Sequence, residues 1–134
     1  MQLKVSTDYA IRIVLHLAVK GGAATSSEIS GQMGIPRSVI ATLAKPLQKA
    51  GILTTQRGTG GGFALGRRPE DISLYAIINA MEGTTRINRC LEPDGYCSRN
   101  GVPTCPVHKF YSRIQNYLDE AFQDKTIASL REDA

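Results

Sequence analysis

Residues Thr25 to Leu65, TSSEISGQMGIPRSVIATLAKPLQKAGILTTQRGTGGGFAL, leave this chain little freedom in what it can fold into. Thr25 and Glu28 form a capping-box pattern, in which a threonine hydroxyl and a glutamate carboxylate satisfy free amides of a first helical turn. A short helix therefore starts there, and Gly34 stops it. Gly34-Ile35-Pro36 reads as a tight turn. A second helix follows over roughly Arg37 to Ala50, with Ile40, Leu43 and Leu47 turned inward at steps of three and four. Pro46 lies late in it and lacks an amide donor, so a bend is expected. Ile52 to Gln56 and Phe63 to Leu65 are β-prone, and two short strands around a glycine-rich turn make a hairpin. Helix, turn, helix and basic-tipped hairpin is the order of elements in a winged helix-turn-helix.

The outer face of the second helix carries Arg37, Ser38, Ala41, Thr42 and Lys45. A helix entering the major groove of double-stranded DNA needs short, polar or basic groups on the side that approaches the bases. An ordinary solvated face would carry the same residues, so the face alone decides nothing. The hairpin tip, Arg57-Gly58-Thr59-Gly60-Gly61-Gly62, adds a second contact. Its glycines let the backbone come close to another surface, and Arg57 suits a narrow minor groove, where the negative potential attracts guanidinium. A phosphate-cradling loop is excluded, because no Gly-Lys-Ser/Thr follows and no helix opens there.

The flanks support this unit. Ala10, Ile13, Val14 and Leu17 mark a helix from about Thr7 to Lys20, with Ser6 or Thr7 as cap and Asp8 in the first turn, where a negative charge suits the helix dipole. Ser73 is expected to cap a fourth helix whose stripe is Leu74, Ile77, Ile78 and Met81. Residues 1–83 then form the DNA-binding domain. Residues 84–105 form a long irregular loop, and 106–134 a final helix and tail. In that helix Val107, Phe110, Ile114, Tyr117 and Ala121 alternate at steps of three and four, a heptad seam broadened by Tyr111, Leu118 and Phe122. So wide an apolar face needs a partner, and a symmetric homodimer is the simplest one, since DNA half-sites are commonly read by two-fold dimers. The whole is expected to be mainly α, with a small β-hairpin wing and a long C-terminal dimerisation helix.

Composition sets outer limits. A net charge of +4 is compatible with nucleic-acid binding without demanding it. No run of about eighteen apolar residues could span a membrane. The N-terminal apolar run is broken by Asp8, Arg12 and His16. It makes a poor signal peptide and a good amphipathic helix, so a cytoplasmic location is expected.

The three cysteines all fall in the irregular loop: Cys90, six residues, Cys97, seven residues, Cys105, two residues, His108. Without an export signal, such a cluster favours metal or redox chemistry over a disulfide framework. Thiolates bind both zinc and iron–sulfur clusters, and imidazole can replace one thiolate in either. Zinc is satisfied by count, but the short Cys-x-x-Cys knuckles of structural zinc sites are missing. A small thiol oxidoreductase is disfavoured by the lack of Cys-x-x-Cys and of a βαβ pattern.

Four segments carry a resemblance: Ser6-Thr7-Asp8-Tyr9-Ala10, Leu47-Gln48-Lys49-Ala50-Gly51-Ile52-Leu53, Arg57 to Leu65, and the three-cysteine loop before a long helix. Over nearly its whole length the chain resembles the iron–sulfur-cluster-binding winged helix-turn-helix transcriptional regulators of the IscR, NsrR and RirA type. The resemblance implies a dimeric regulator, most simply a repressor, whose operator binding responds to iron, redox or nitric-oxide status through a cluster on Cys90, Cys97 and Cys105. His108 stands where IscR-like members use a histidine as fourth ligand to a 2Fe–2S cluster. Asp8 stands where some NsrR-like members use an aspartate from the partner subunit on a 4Fe–4S cluster. The 2Fe–2S scheme is favoured slightly, although the stretches between the cysteines are longer here than in IscR-like members. Ala41 replaces a glutamate that helps those members discriminate between operator classes.

Overall fold

The computed structural model describes every residue from Met1 to Ala134. Its elements, in order, are α1 (Val5–Lys20), α2 (Ser26–Met33), α3 (Arg37–Lys49), β1 (Leu53–Gln56), β2 (Gly62–Leu65), α4 (Leu74–Glu82), α5 (Pro106–Asp124) and α6 (Ile127–Glu132), with single 3₁₀ turns at Pro69–Asp71, Arg89–Leu91 and Val102–Thr104. The expected class, mainly helical with a two-stranded antiparallel wing, is what forms. Local chemistry sets most of the ends. Thr25 caps α2 by accepting the Glu28 amide, and Ser73 caps α4 by accepting that of Ala76. Gly21 and Gly34 close α1 and α2 in left-handed conformations, which glycine adopts without steric cost. The segment through Pro46 stays one α-helix to Lys49.

The start of α1 differs from the sequence expectation. The helix begins at Val5 after an extended Lys4, and neither Ser6 nor Thr7 caps it. Thr7 is instead fully buried. Its hydroxyl donates to the Glu82 carboxylate at the end of α4, which also accepts the Lys4 amide at 3.0 Å. A carboxylate distant in sequence thus supplies the cap that the local residues were expected to give. The Thr7 hydroxyl, and then the Lys4 amide, hold the Glu82 carboxyl below its ordinary range.

One core joins α1, α2, α3, the wing and α4 through Ile13, Leu17, Ile29, Ile40, Leu47, Ile52 and Ile77. The tail beyond α5, expected as a last turn at most, is part of it. Ile127 of α6 is fully buried, and its amide donates to the Ile72 carbonyl at 2.8 Å while Leu74 donates to Lys125 at 2.7 Å. The chain therefore returns to the core with α6, which fixes the C-terminal end of α5 to the rest of the fold.

The wing is tied down at its base. Leu53 pairs with Leu65 and Gln56 with Gly62, and Phe63 exchanges both backbone hydrogen bonds with Ala24 in the α1–α2 linker, each at 2.9 Å. Two of the tip glycines serve this packing. A Cβ on Gly61 would lie 2.5 Å from the Gln56 carbonyl oxygen, and one on Gly62 would lie 2.8 Å from Thr25 Cα and overlap the Ala24 carbonyl. Gly62 also has a φ of +138°, which side chains rarely adopt. Gly62→Ala is expected to unseat the hairpin and to cost about 3 kcal/mol, a strained backbone combined with a backbone overlap. Thermal unfolding of the purified protein measures this as a lowered Tm.

Candidate functional site

Two surfaces are built on this frame. The first is the outer face of α3 with the wing tip. Arg37, Ser38, Ala41, Thr42 and Lys45 are all exposed, while Ile40, Leu43, Ala44 and Leu47 face the core. Arg57 and Gly58 are exposed at the tip, with Gly58 at φ +97°. No carboxylate of the chain pairs with Arg37, Lys45 or Arg57, so their charges are free for an anionic partner. Pro46 offers no amide to the carbonyl of Thr42 four residues earlier.

Three contacts that sequence reasoning did not anticipate fix the wing against α3. Arg67 donates to the carbonyls of Ala50 at 2.9 Å and Gly51 at 3.4 Å, placing a cation at the negative end of the helix. Gln48 reaches Thr55 at 2.6 Å. Gly66 lies so close to Gly51 that a Cβ would stand 2.5 Å from its carbonyl oxygen. The outer face of α3 and the wing are thereby held to each other. The cue in the sequence is a basic residue just after a strand that returns to a helix end, which only the hairpin register reveals.

The second surface is the cysteine loop. Its 3₁₀ turn at Arg89–Leu91 swings Cys90 back to the first turn of α5, where its Sγ lies 3.2 Å from His108 Nδ1. Asn88 donates to the same sulfur at 3.2 Å. Cys105 is the N-cap of α5, its Sγ accepting the His108 amide at 3.4 Å, and Pro106 takes the first helical position, where its missing amide is not needed. All three cysteines and His108 line a single hollow of about 280 Å³, together with Asn88, Arg89, Tyr96, Ser98 and Val102. Each thiol is half-buried.

Local electrostatics favour ligation. The backbone amides of Gly101 and then Arg99 point at the Cys97 sulfur, and with the Arg99 charge they hold its thiol below the ordinary value. The thiolate is the form that binds metals. The loop between Cys90 and Cys97 is braced by Arg89, which grips Asp94 through both carboxylate oxygens and lies over the Tyr96 ring. Arg89, then the Tyr96 amide, lower the Asp94 carboxyl to about 2. No three ligand side chains of the chain are drawn together tightly enough to grip one ion. The sulfurs and the imidazole surround the hollow instead.

Of the two fourth-ligand candidates, only His108 lies in the hollow of its own chain. Asp8 is on α1, half-exposed and paired with Arg12 at 2.6 Å. The seam of α5 is bare. Val107 and Phe110 are each 51% exposed, Ile114 38% and Tyr117 76%. The other side of the helix faces the protein, with Tyr111, Leu118 and Phe122 half-buried and Gln115 fully enclosed. Gln115 went unnoticed in the sequence, yet a polar residue in the inward stripe Tyr111, Gln115, Leu118, Phe122 is itself a signal, because buried polar groups demand partners.

Comparison with known proteins places this geometry in context. The profile of the Rrf2 family, described as an iron-dependent transcriptional regulator, matches residues 3–133. The HTH-type transcriptional regulator IscR of Aliivibrio salmonicida is 31% identical over 125 residues, covering 89% of this chain and 73% of that protein. Among solved structures, the global cysteine regulator CymR of B. subtilis superposes with a TM-score of 0.81 at 23% identity, over 100% of this chain and 98% of that one. The IscR of T. potens gives a TM-score of 0.78 at 21% identity, over 99% and 88%.

Proposed function

The chain belongs to the Rrf2 family of transcriptional regulators, and from that premise we propose that it represses transcription as a homodimer whose grip on operator DNA is set by an iron–sulfur cluster on Cys90, Cys97 and Cys105. It is a DNA-binding regulator, not an enzyme. The cluster reading rests mainly on one observation: three thiols and an imidazole, spread over nineteen residues of chain, line one hollow at the start of α5. Donors that surround a space rather than meet at a point suit a group several atoms across better than a single ion. His108 beside Cys90 supports three-thiolate, one-imidazole ligation, the scheme that the resemblance to IscR-like members pairs with a 2Fe–2S cluster. Asp8 would have to reach a cluster from the partner subunit. When bound, the cluster supplies an iron centre that oxygen, nitric oxide or iron starvation can remove.

The residues of the chain make that occupancy mechanical. Ligation through Cys90 and Cys105 locks the loop onto the first turn of α5. The exposed face of α5 is the proposed dimer seam, so its tilt sets the spacing of the two α3 helices. A ligand shifts such an equilibrium only by its different affinity for the two states. The hollow must therefore fit the cluster better in one dimer geometry than in the other. Iron and acid-labile sulfide assays with visible spectroscopy on anaerobically purified protein test the cofactor. Iron with sulfide and a coloured sample are expected. Zinc in a colourless sample would replace this reading with a structural metal site.

Arg57 and the outer face of α3 carry the DNA contact in this proposal. Arg57→Ala is expected to weaken binding to duplexes selected by the wild-type protein about tenfold, within the range of one lost groove contact, and to flatten the salt dependence by about one unit. Sedimentation should leave the dimer unchanged. Undiminished binding in a titration would mean that the wing tip does not touch DNA.

A further inference from the structure

Two polar residues are fully enclosed, Thr7, which is engaged by Glu82 at the start of α1, and Gln115, which neither the DNA face nor the donor set explains. It sits midway along α5, and its amide is used completely. The side-chain oxygen accepts the Ile87 amide at 2.7 Å, and the nitrogen donates to the Thr85 carbonyl at 2.9 Å and to Asp119 Oδ1 at 2.8 Å. Asp119 continues the arrangement, pairing with Arg86 at 2.9 Å. The segment Thr85–Ile87 is thus fastened to α5 by its backbone. It lies between Gly83, at the end of α4, and Cys90.

This gives the cysteine loop two anchors on one helix. Its far end is Cys105, the N-cap of α5. Its near end is held at Gln115, about 15 Å further along the axis for ten residues of rise. Between them the chain doubles back so that Cys90 meets His108. Apart from Gln115, the arm between Gly83 and Cys90 is tied to α5 only through side chains, by Arg86 and Thr85 to Asp119 and by Cys90 to His108.

We propose that Gln115 is a positioning residue: its amide clamp on Thr85 and Ile87 holds the Cys90 arm in register with Cys97, Cys105 and His108, and ties that arm to the dimerisation helix. The proposal deepens the cluster reading and rests on it for its purpose, though the clamp itself is testable without any cluster. The orientation of the amide is dictated by its partners, since an N–H must meet oxygen and a C=O must meet N–H. Gln115→Glu is therefore a one-atom change that keeps the shape. It turns the two donations into repulsion between a carboxylate and two oxygens, and a buried polar group left facing the wrong partner is costly.

The test uses the metal-free, reduced, full-length chain. In Gln115→Glu, which keeps the acceptor for the Ile87 amide and loses the donations to Thr85 and Asp119, alkylation of Cys90 by iodoacetamide is expected to rise about tenfold relative to Cys97. Asp119→Asn, which loosens the clamp from its other side, should give the same pattern more weakly. A general loss of order would raise all three thiols together and expose core amides such as Ile13. That result, or an unchanged Cys90, would overturn the proposal. In the second half of the experiment, iron and sulfide are loaded into both proteins. The variant should lose its visible absorption at least fivefold faster than wild type, and an equal lifetime would count against the positioning role. If wild type takes up no cluster, the cluster reading fails while the thiol footprint still decides the clamp.

Discussion

Cys90→Ser, Cys97→Ser and Cys105→Ser, combined in one chain, are expected to abolish visible absorption and bound sulfide completely while leaving the metal-free fold intact. The three thiols are half-buried and none belongs to the hydrophobic core. Substitutions outside a core usually change stability by about 0.5 kcal/mol or less. Cys105 has a second duty as the N-cap of α5, but serine is among the better N-caps, so the helix keeps its start. Cys90 loses only contacts to Asn88 in the loop and His108 in the first turn of α5. The predicted outcome is a colourless protein whose Tm matches that of metal-free wild type. A serine variant that still held iron and sulfide would exclude these residues as the donor set. One that failed to fold would make the cysteines structural.

Ile114→Glu is expected to convert the proposed dimer to monomer and to weaken operator binding by at least about a hundredfold, the typical loss when two linked contacts become one. The physical reason is the bare seam. Burying a side chain of this kind is worth about 1.5–3 kcal/mol, and a carboxylate placed among apolar partners costs more than the contact it replaces. Ile114 is already 38% exposed in the single chain, so the fold of the monomer should tolerate the change. Sedimentation reads the first effect and a titration with selected duplex DNA reads the second. A persistent dimer would move the interface away from Val107, Phe110, Ile114 and Tyr117.

The parts legible in the sequence are those whose chemistry is local. The Thr25 cap, the Ser73 cap, the Cys105-Pro106 start of α5 and the Gly34 stop each depend on residues within one turn, and each forms where expected. The outward face of α3 followed from helical period alone. What stayed hidden depends on residues far apart in the chain. Thr7 looked like a cap and is a buried partner of Glu82, because α4 comes to rest against the start of α1. The tail read as a short final turn, and its place in the core through Ile127 was hidden, because the Ile72 carbonyl that pairs with it is far away in the chain. Gly61 and Gly62 looked like freedom at the wing tip and are forced by the approach of the Gln56 carbonyl and the α1–α2 linker. In the cysteine loop, spacing grouped the donors, but only the turn at Arg89–Leu91 brings Cys90 to His108, and only the fold shows that Gln115 holds the arm in between.

In the proposed mechanism the hollow controls the grip on DNA. That control is tested most directly by measuring the affinity of one protein sample for a selected duplex, by fluorescence anisotropy under anaerobic conditions, before and after chelator and oxidant strip the cluster. Because Cys90 and Cys105 tie the loop to α5, and α5 carries the proposed dimer seam, at least a tenfold change in Kd is expected, restored on reconstitution. Equal affinity of the loaded and stripped forms would contradict it.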